Sequence, residues 1–174
     1  MSSNYYITTP IYYVNDVPHI GHAYTTLACD VIARFKRLDG FNVFFLTGTD
    51  EHGQKVELAA KNKGIAPKEF VDEVSQNFRN LLKCMNFSND DFIRTTEKRH
   101  LDSCEKIWKK LLENGSIYLD KYSGWYSVRD EAFYSETEIV DGTAPSGAPV
   151  EWVEEPSYFF NLSKWEDKLL KFYE

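Results

Sequence analysis

Cysteine is scarce in this sequence, and its scarcity excludes two kinds of protein. The three cysteines, Cys29, Cys84 and Cys104, are odd in number and far apart, so they form neither a disulfide framework nor the paired knuckles of a zinc site. Isolated thiols of this kind are usually small core residues in proteins of reducing compartments. We therefore expect three core cysteines, no zinc and a cytoplasmic location.

Long hydrophobic runs are also missing. No segment approaches the ~20 apolar residues of a membrane span, and the first residues, Met1-Ser2-Ser3-Asn4, lack the charged and apolar regions of a signal peptide. A chain of 174 residues with 43% hydrophobic content can bury one solid core and a small appendage. We expect a soluble globular protein with no membrane partner.

An excess of positive charge is absent as well, because the formal net charge is −7. This charge argues against a protein whose whole surface attracts nucleic acid. Between Arg129 and Glu155 the chain has eight carboxylates and one arginine, so this stretch carries the entire net charge. A shift of this kind suggests two modules, with the acidic one late in the chain, although an acidic run is most simply a solvated face.

A strand followed by a helix opens the chain. The run Tyr5–Thr9 is aromatic and β-branched, as in a buried strand, and Pro10 ends it because proline donates no ladder hydrogen bond. The spacing of apolar residues predicts a helix over His19–Leu38, with Pro18 suited to its start. The predicted buried face consists of Ile20, Ala23, Leu27, Val31, Ile32 and Phe35.

Two histidines, His19 and His22, share one side of the first turn of this predicted helix. Free backbone N–H groups and the helix dipole favour an anion there, so the sequence predicts a phosphate site. Gly21 between them would let a flat ring approach the backbone. A simpler interpretation is that both histidines cap the helix or pack in the core.

A second strand, predicted over residues 41–47, would complete a right-handed βαβ unit with parallel strands. It leads into the loop Gly48–Lys55, which contains Asp50 and His52. Ligands of open parallel sheets bind beyond the carboxyl ends of the strands. We therefore expect this loop and the histidine pair to face one pocket.

A metal site formed by His19, His22, His52 and Asp50 is an alternative. Zinc sites usually have histidines at i, i+4 spacing or CxxC pairs, and neither is present here.

The rest of the chain divides into helical and strand-like segments. Helices are predicted over residues 54–62, 67–85 and 97–113, with a short strand over 92–96. The last of these helices should turn an apolar side inward, formed by Leu101, Cys104, Ile107, Trp108, Leu111 and Leu112.

Beyond Gly115, short aromatic stretches over residues 117–122, 124–128 and 132–134 indicate a small antiparallel module. A loop over residues 142–149 and a final helix over 164–174, capped by Ser163, complete it. The predicted fold class is α/β: residues 1–115 form the first half of a Rossmann-type parallel sheet, and residues 116–174 form an antiparallel β-rich insertion.

Three motifs together resemble the methionyl-tRNA synthetase family. His19-Ile20-Gly21-His22 is similar to the signature of class I aminoacyl-tRNA synthetases. The segments Pro10-Ile11-Tyr12-Tyr13-Val14-Asn15 and Gly48-Thr49-Asp50-Glu51-His52-Gly53 narrow the resemblance to the methionine enzyme. The aromatic stretches after Gly115 resemble that family's connective-peptide insertion in its metal-free form, which would be incomplete here.

The resemblance implies a methionine–tRNA ligase that activates methionine with ATP and Mg²⁺ to methionyl-adenylate and transfers it to tRNA(Met). It implies that His19 and His22 are catalytic and bind ATP, with Gly21 as a floor under the adenine. Zinc is not expected.

The resemblance also assigns the methionine side of the site. Asp50 would hold the amino group of methionine, and Ile11 and Tyr13 would line its pocket. The alternative for Asp50 is a loop carboxylate that caps the following helix. Candidates to support the site are Tyr12, Asn15 and His52.

One family motif, Lys-Met-Ser-Lys-Ser in the second Rossmann half, does not occur in these 174 residues. The chain therefore resembles an amino-terminal fragment, and we expect it to be inactive by itself. Two alternatives stay open: a non-catalytic or truncated nucleotide-binding module of the same fold, and another nucleotidyltransferase with the same histidine motif.

Overall fold

The computed structural model describes residues 3–174 and separates into two compact units, residues through Cys104 and Glu105–Glu174. Met1 and Ser2, part of the amino end that lacks signal-peptide features, lie outside the described residues. The domain boundary that the sequence predicts, after residue 115, stays a prediction. No helix in the described part of the chain is long and apolar enough to cross a membrane.

The first unit is built on a parallel sheet, which confirms the predicted fold class. Its strands are β1 (Asn4–Thr8), β2 (Tyr12–Tyr13), β3 (Asn42–Asp50) and β4 (Asp91–Arg94). Leu46 of β3 pairs with Thr8 on one side and with Asp91 on the other, so β3 is central. The central strand continues through Gly48 to Asp50, three residues further than predicted, because it has a partner strand on both sides.

Helix α1 (Ile20–Leu38) connects β2 to β3, and its predicted buried face is wrong. Thr26, Asp30 and Ala33 are its buried residues, whereas most of the predicted apolar face is exposed: Ile20, Leu27, Val31, Ile32 and Phe35. A polar side can be buried here because its groups are paired. The Thr26 Oγ1 atom lies 2.7 Å from the Tyr12 hydroxyl, and Asp30 accepts hydrogen bonds from Ser88 and Arg34.

The core of the first unit lies between the sheet and two further helices, α2 (Gln54–Lys63) and α3 (Pro67–Cys84). Pro67 occupies the first turn of α3, as predicted, where its missing N–H costs nothing. The buried cluster consists of Tyr12, Val14, Val56, Ala60, Phe70, Val71, Val74, Phe78, Leu82 and Phe92.

Helix α4 (Lys98–Glu113) has no buried residue, so its predicted inward side is wrong: Leu101, Cys104, Ile107, Trp108 and Leu112 are all exposed, and Leu111 is half-buried. Side-chain ion pairs one turn apart, such as Lys98 with Asp102, support the helix instead. The expectation of three core cysteines is also wrong. Cys84 and Cys104 are exposed, since they lie on outer helix surfaces, and Cys29 is half-buried.

The second unit contains the antiparallel sheet that the aromatic stretches predict. Its strands are β5 (Ile117–Ser127), β6 (Ala132–Tyr134) and β7 (Glu151–Phe160), in the order β6–β5–β7. The sequence divides β5 in two and misses β7, whose Pro156 is tolerated because β7 lies at the edge of the sheet.

The chain's last helix, α5 (Glu166–Tyr173), begins later than predicted. A 3₁₀ turn, Leu162–Trp165, precedes it, and the Asn161 side chain caps that turn by accepting the Lys164 N–H. The predicted cap, Ser163, lies inside the turn.

Candidate active site

The predicted site residues come from one edge of the parallel sheet. Tyr13 of β2 is in register with Asp50 of β3, and the Val14 N–H donates to the Asp50 carbonyl at 3.3 Å. Both strands therefore end side by side, and α1 begins six residues after Val14. This placement is the one expected for a ligand site of an open parallel sheet.

The two histidines form a reciprocal cap at the start of α1. His19 is the capping residue, so the helix begins at Ile20 rather than at His19. Its Nδ1 accepts the Gly21 N–H at 3.1 Å, while the Nδ1 of His22 accepts the His19 N–H at 3.1 Å. Two of the otherwise unpaired N–H groups of the helix end are satisfied in this way.

This cap determines which ring nitrogen of each histidine acts as the acceptor. Because Nδ1 accepts a hydrogen bond in both rings, the ring proton must be on Nε2, which is left as a donor. Burial, together with the neighbouring His19, lowers the pKa of His22 below its ordinary value of 6.5, so this ring is neutral at pH 7. The ring centroids are 3.9 Å apart, so the two imidazoles lie side by side at the N-terminus of α1.

Gly21 is required by the ring of His19. A Cβ at Gly21 would lie 2.9 Å from Cε1 and 3.1 Å from Nδ1 of that ring. The missing side chain therefore lets His19 fold back over the helix end. The predicted role of Gly21 as a floor under adenine stays a prediction.

Tyr12, a candidate support residue, lies directly behind His22. It is 6% exposed, and its hydroxyl lies 2.7 Å from Thr26 Oγ1 and 3.3 Å from the His22 carbonyl. Its ring meets the His22 ring edge-on at 4.8 Å and stacks on Phe78 at 5.5 Å. Burial raises the pKa of Tyr12 above 10, so its hydroxyl keeps its proton.

The methionine-side candidates occupy the ends of β2 and β3. Ile11 is 42% exposed just before β2, and Tyr13 and Asp50 are half-buried. The hydroxyl of Tyr13 lies against Gly53, where an added Cβ would be 2.7 Å away. The structure thus brings Tyr13 next to both Asp50 and the loop that follows it.

The remaining two candidates are less closely tied to this site. Asn15 is exposed in the turn after β2, and His52 is exposed with its Nε2 3.4 Å from the Thr95 carbonyl. His52 thus contacts the segment after β4. Across residues 3–174, no three His, Cys, Asp or Glu side chains converge as they would to hold a metal ion.

Comparison with known proteins identifies the family. The model for "tRNA synthetases class I (M)" matches residues 5–150. The chain belongs to this family. It is 70% identical over 175 residues to the methionine–tRNA ligase of Rickettsia felis and 54% identical over 185 residues to that of Bacillus subtilis. These matches cover 100% and 99% of this chain but 34% and 28% of the two relatives, so the chain spans about a third of their length.

Solved structures show the same relationship. The Mycobacterium tuberculosis methionyl-tRNA synthetase in complex with methionyl-adenylate superposes with a TM-score of 0.86 at 50% identity, over 98% of this chain and 35% of the other. A leucyl-tRNA synthetase (LeuRS) of Agrobacterium radiobacter, at 22% identity and a TM-score of 0.79, shows the shared fold alone.

Two residues that contact the candidate site belong to no sequence motif. Thr26 binds the hydroxyl of Tyr12, and Phe78 meets the His22 ring at 5.1 Å. Thr26 lies one helical turn after His22, and its Oγ1 donates to the His22 carbonyl at 2.8 Å. Thr26 could have been found from the sequence, because it is a polar residue one turn after His22 on the same side of the predicted helix. No sequence feature points to Phe78, which comes from α3.

Proposed function

We propose that this chain provides the α-phosphate-binding and methionine-binding side of a methionine–tRNA ligase. The observation that supports it best is the reciprocal histidine cap, in which both rings use Nδ1 as the acceptor and leave Nε2 outside the cap at a helix N-terminus. The names of the relatives, methionine–tRNA ligase and a synthetase in complex with methionyl-adenylate, support this proposal. The reaction that we propose is ATP-dependent formation of methionyl-adenylate and transfer of methionine to tRNA(Met), in the cytoplasm.

In the first step, a methionine carboxylate oxygen attacks the α-phosphorus of ATP, and pyrophosphate leaves. Negative charge then develops on phosphate oxygens, so positioned donors matter more than acid–base groups. His19 and His22 would donate from Nε2 to these oxygens, and the dipole of α1 adds positive potential. ATP would enter with Mg²⁺, which offsets part of the triphosphate charge, and no zinc is required.

Methionine would bind beside the histidine pair. The Asp50 carboxylate would pair with its ammonium group and so turn the reacting carboxylate toward phosphorus. Ile11 and Tyr13 would form the near wall of the side-chain pocket, while Tyr12 holds His22 from behind. Asn15 and His52 would support the loops on either side.

The first prediction tests the histidine pair. Because the chain spans about a third of the length of its relatives, the assay uses a hybrid synthetase. In this hybrid, these 174 residues replace the aligned segment of the Rickettsia felis enzyme. His19→Ala and His22→Ala should each lower methionine-dependent ATP–pyrophosphate exchange by ~10²-fold or more, with little change in the KM for ATP.

His100, a half-buried histidine on α4 outside the candidate site, provides the control, and His100→Ala should leave exchange unchanged. Near-normal exchange in both histidine variants would contradict the assignment. Exchange that depends on a different carboxylic acid would favour another nucleotidyltransferase, and its complete absence in the unmutated hybrid would favour a non-catalytic module.

A further inference from the structure

Glu51, the residue after Asp50, has a fully buried carboxylate. Its side chain is 0% exposed. A buried carboxylate is costly unless donors surround it, so its presence at a strand end requires an explanation. The sequence analysis assigns no role to Glu51, although it lies within the Gly48–Gly53 motif.

Four donors converge on this carboxylate. Arg94 of β4 binds both oxygens, with Nε 2.6 Å from Oε1 and Nη2 2.9 Å from Oε2. Thr49 donates to Oε1 at 2.7 Å, and Thr96 donates to Oε2 at 2.5 Å. All these contacts are charge-assisted, and the two-pronged arginine contact fixes the orientation of the carboxylate as well as its position.

The main chain around Asp50 is held by the same neighbours. The Glu51 N–H donates to Thr95 Oγ1 at 2.9 Å, and the Thr95 N–H donates to the Thr49 carbonyl at 3.2 Å. Asp50 therefore lies between two residues that are tied to the β4 end, while its own carbonyl accepts from Val14 of the β2 end. Rotation of the Asp50 backbone would have to break these contacts.

We propose that Glu51 is a positioning residue, whose buried carboxylate, clamped by Arg94 and Thr96, fixes Asp50 at the end of β3 for the ammonium group of methionine. This inference rests on the proposed function. Glu51 touches no substrate in this scheme and acts only through the placement of Asp50.

The expected signature is a change in methionine binding rather than in ATP binding. Glu51→Gln keeps the shape but replaces one acceptor oxygen by an amide that faces an Arg94 or threonine donor. In the hybrid synthetase, this variant should raise the KM for methionine by about tenfold or more and leave the KM for ATP within about twofold. Glu57→Gln, at an exposed glutamate in the first turn of α2, is the matched control and should change neither.

A second measurement uses the 174-residue chain itself and needs no activity. Glu51→Gln should speed hydrogen exchange of the amides of residues 50–53, while exchange in β5 and β7 stays unchanged. If Glu51→Gln does not fold, Thr96→Val, which removes one donor and keeps the carboxylate, should give the same changes to a smaller extent.

The outcomes separate this inference from the proposed function. An inactive unmutated hybrid contradicts the proposed function. An active hybrid in which Glu51→Gln leaves the KM for methionine within twofold overturns the role of Glu51, as does an equal rise in both KM values, which a merely structural residue would give.

Discussion

Each histidine of the pair uses one ring nitrogen, Nδ1, to cap the start of α1, and its other nitrogen, Nε2, takes no part in the cap. The sequence analysis offers capping and phosphate binding as competing interpretations of His19 and His22. The structure shows the cap. Because Nδ1 of each ring accepts a hydrogen bond in this cap, the nitrogen that can carry a proton and donate to a ligand is Nε2. The two interpretations therefore describe the same arrangement, and capping supports the proposed binding.

Gly21→Ala should separate activity from stability at this cap. The new Cβ would lie 2.9 Å from the His19 ring, so the ring must move and its hydrogen bond to the Gly21 N–H is lost. We expect pyrophosphate exchange by the hybrid synthetase to fall by about tenfold or more. The melting temperature should change little, because the ~1 kcal/mol by which alanine is favoured over glycine in a helix offsets the lost capping hydrogen bond.

Thr25→Ala, in the next turn of α1, is the control for this substitution and should preserve exchange. A Gly21→Ala variant with full activity would show that His19 does not need its present orientation. Equal losses of activity and stability would instead indicate general damage to the helix start.

At the scale of elements, α1 packs through a polar side. Asp30 accepts hydrogen bonds from the Ser88 N–H and hydroxyl and from Arg34, and so ties the helix to the segment before β4. Burial by itself raises the pKa of Asp30, but the hydrogen bonds from Ser88 and Arg34 outweigh it, and the pKa lies below the ordinary value of 3.8. The ionised carboxylate is therefore favoured by folding.

Asp30→Asn should destabilise the chain by about 1–3 kcal/mol at pH 7, since a buried acceptor of three hydrogen bonds is altered. A depressed carboxylate pKa stabilises the folded state above the unfolded-state pKa, and that contribution is lost as the pH falls through the folded-state pKa. The stability difference from the unmutated chain should thus be largest near neutral pH and shrink below pH ~4.

Urea unfolding at a series of pH values measures this difference. Asp39→Asn, at an exposed carboxylate after the same helix, is the control and should cost little at any pH. A difference for Asp30→Asn that is independent of pH would contradict the role of its charge.

Periodicity locates α1 well but misassigns the side that packs. It reports which side is apolar, and it cannot report that the partners of Asp30 and Thr26 lie far away, at Ser88 and Tyr12. The site motifs were predictable because glycine, histidine and acidic residues sit at fixed local spacings. The role of Glu51 was not predictable, since it depends on donors from Arg94 of β4 and from Thr96 just after it, more than forty positions later.

At the scale of the whole molecule, the described chain leaves a wide apolar surface uncovered. The outward side of α1 exposes large apolar side chains, and the outer edge of β1 has no partner strand among residues 3–174. Exposed apolar patches and open strand edges favour association between chains. The Lys-Met-Ser-Lys-Ser motif, which the family resemblance associates with the second Rossmann half, does not occur in these 174 residues.

We therefore expect the isolated 174-residue chain to self-associate and to show no measurable methionine-dependent pyrophosphate exchange. Positioning of reactants alone can supply ~7–11 kcal/mol of a barrier, and the histidine pair with Asp50 would position only part of the substrates. Sedimentation across a concentration series and an exchange assay on the same sample test both expectations. Val31→Lys with Phe35→Glu, which replaces two exposed apolar side chains of α1, should reduce association and leave the fold unchanged. A monodisperse monomer with robust exchange would contradict both expectations. It would show that these 174 residues form a complete active site and that the exposed apolar side of α1 does not cause association.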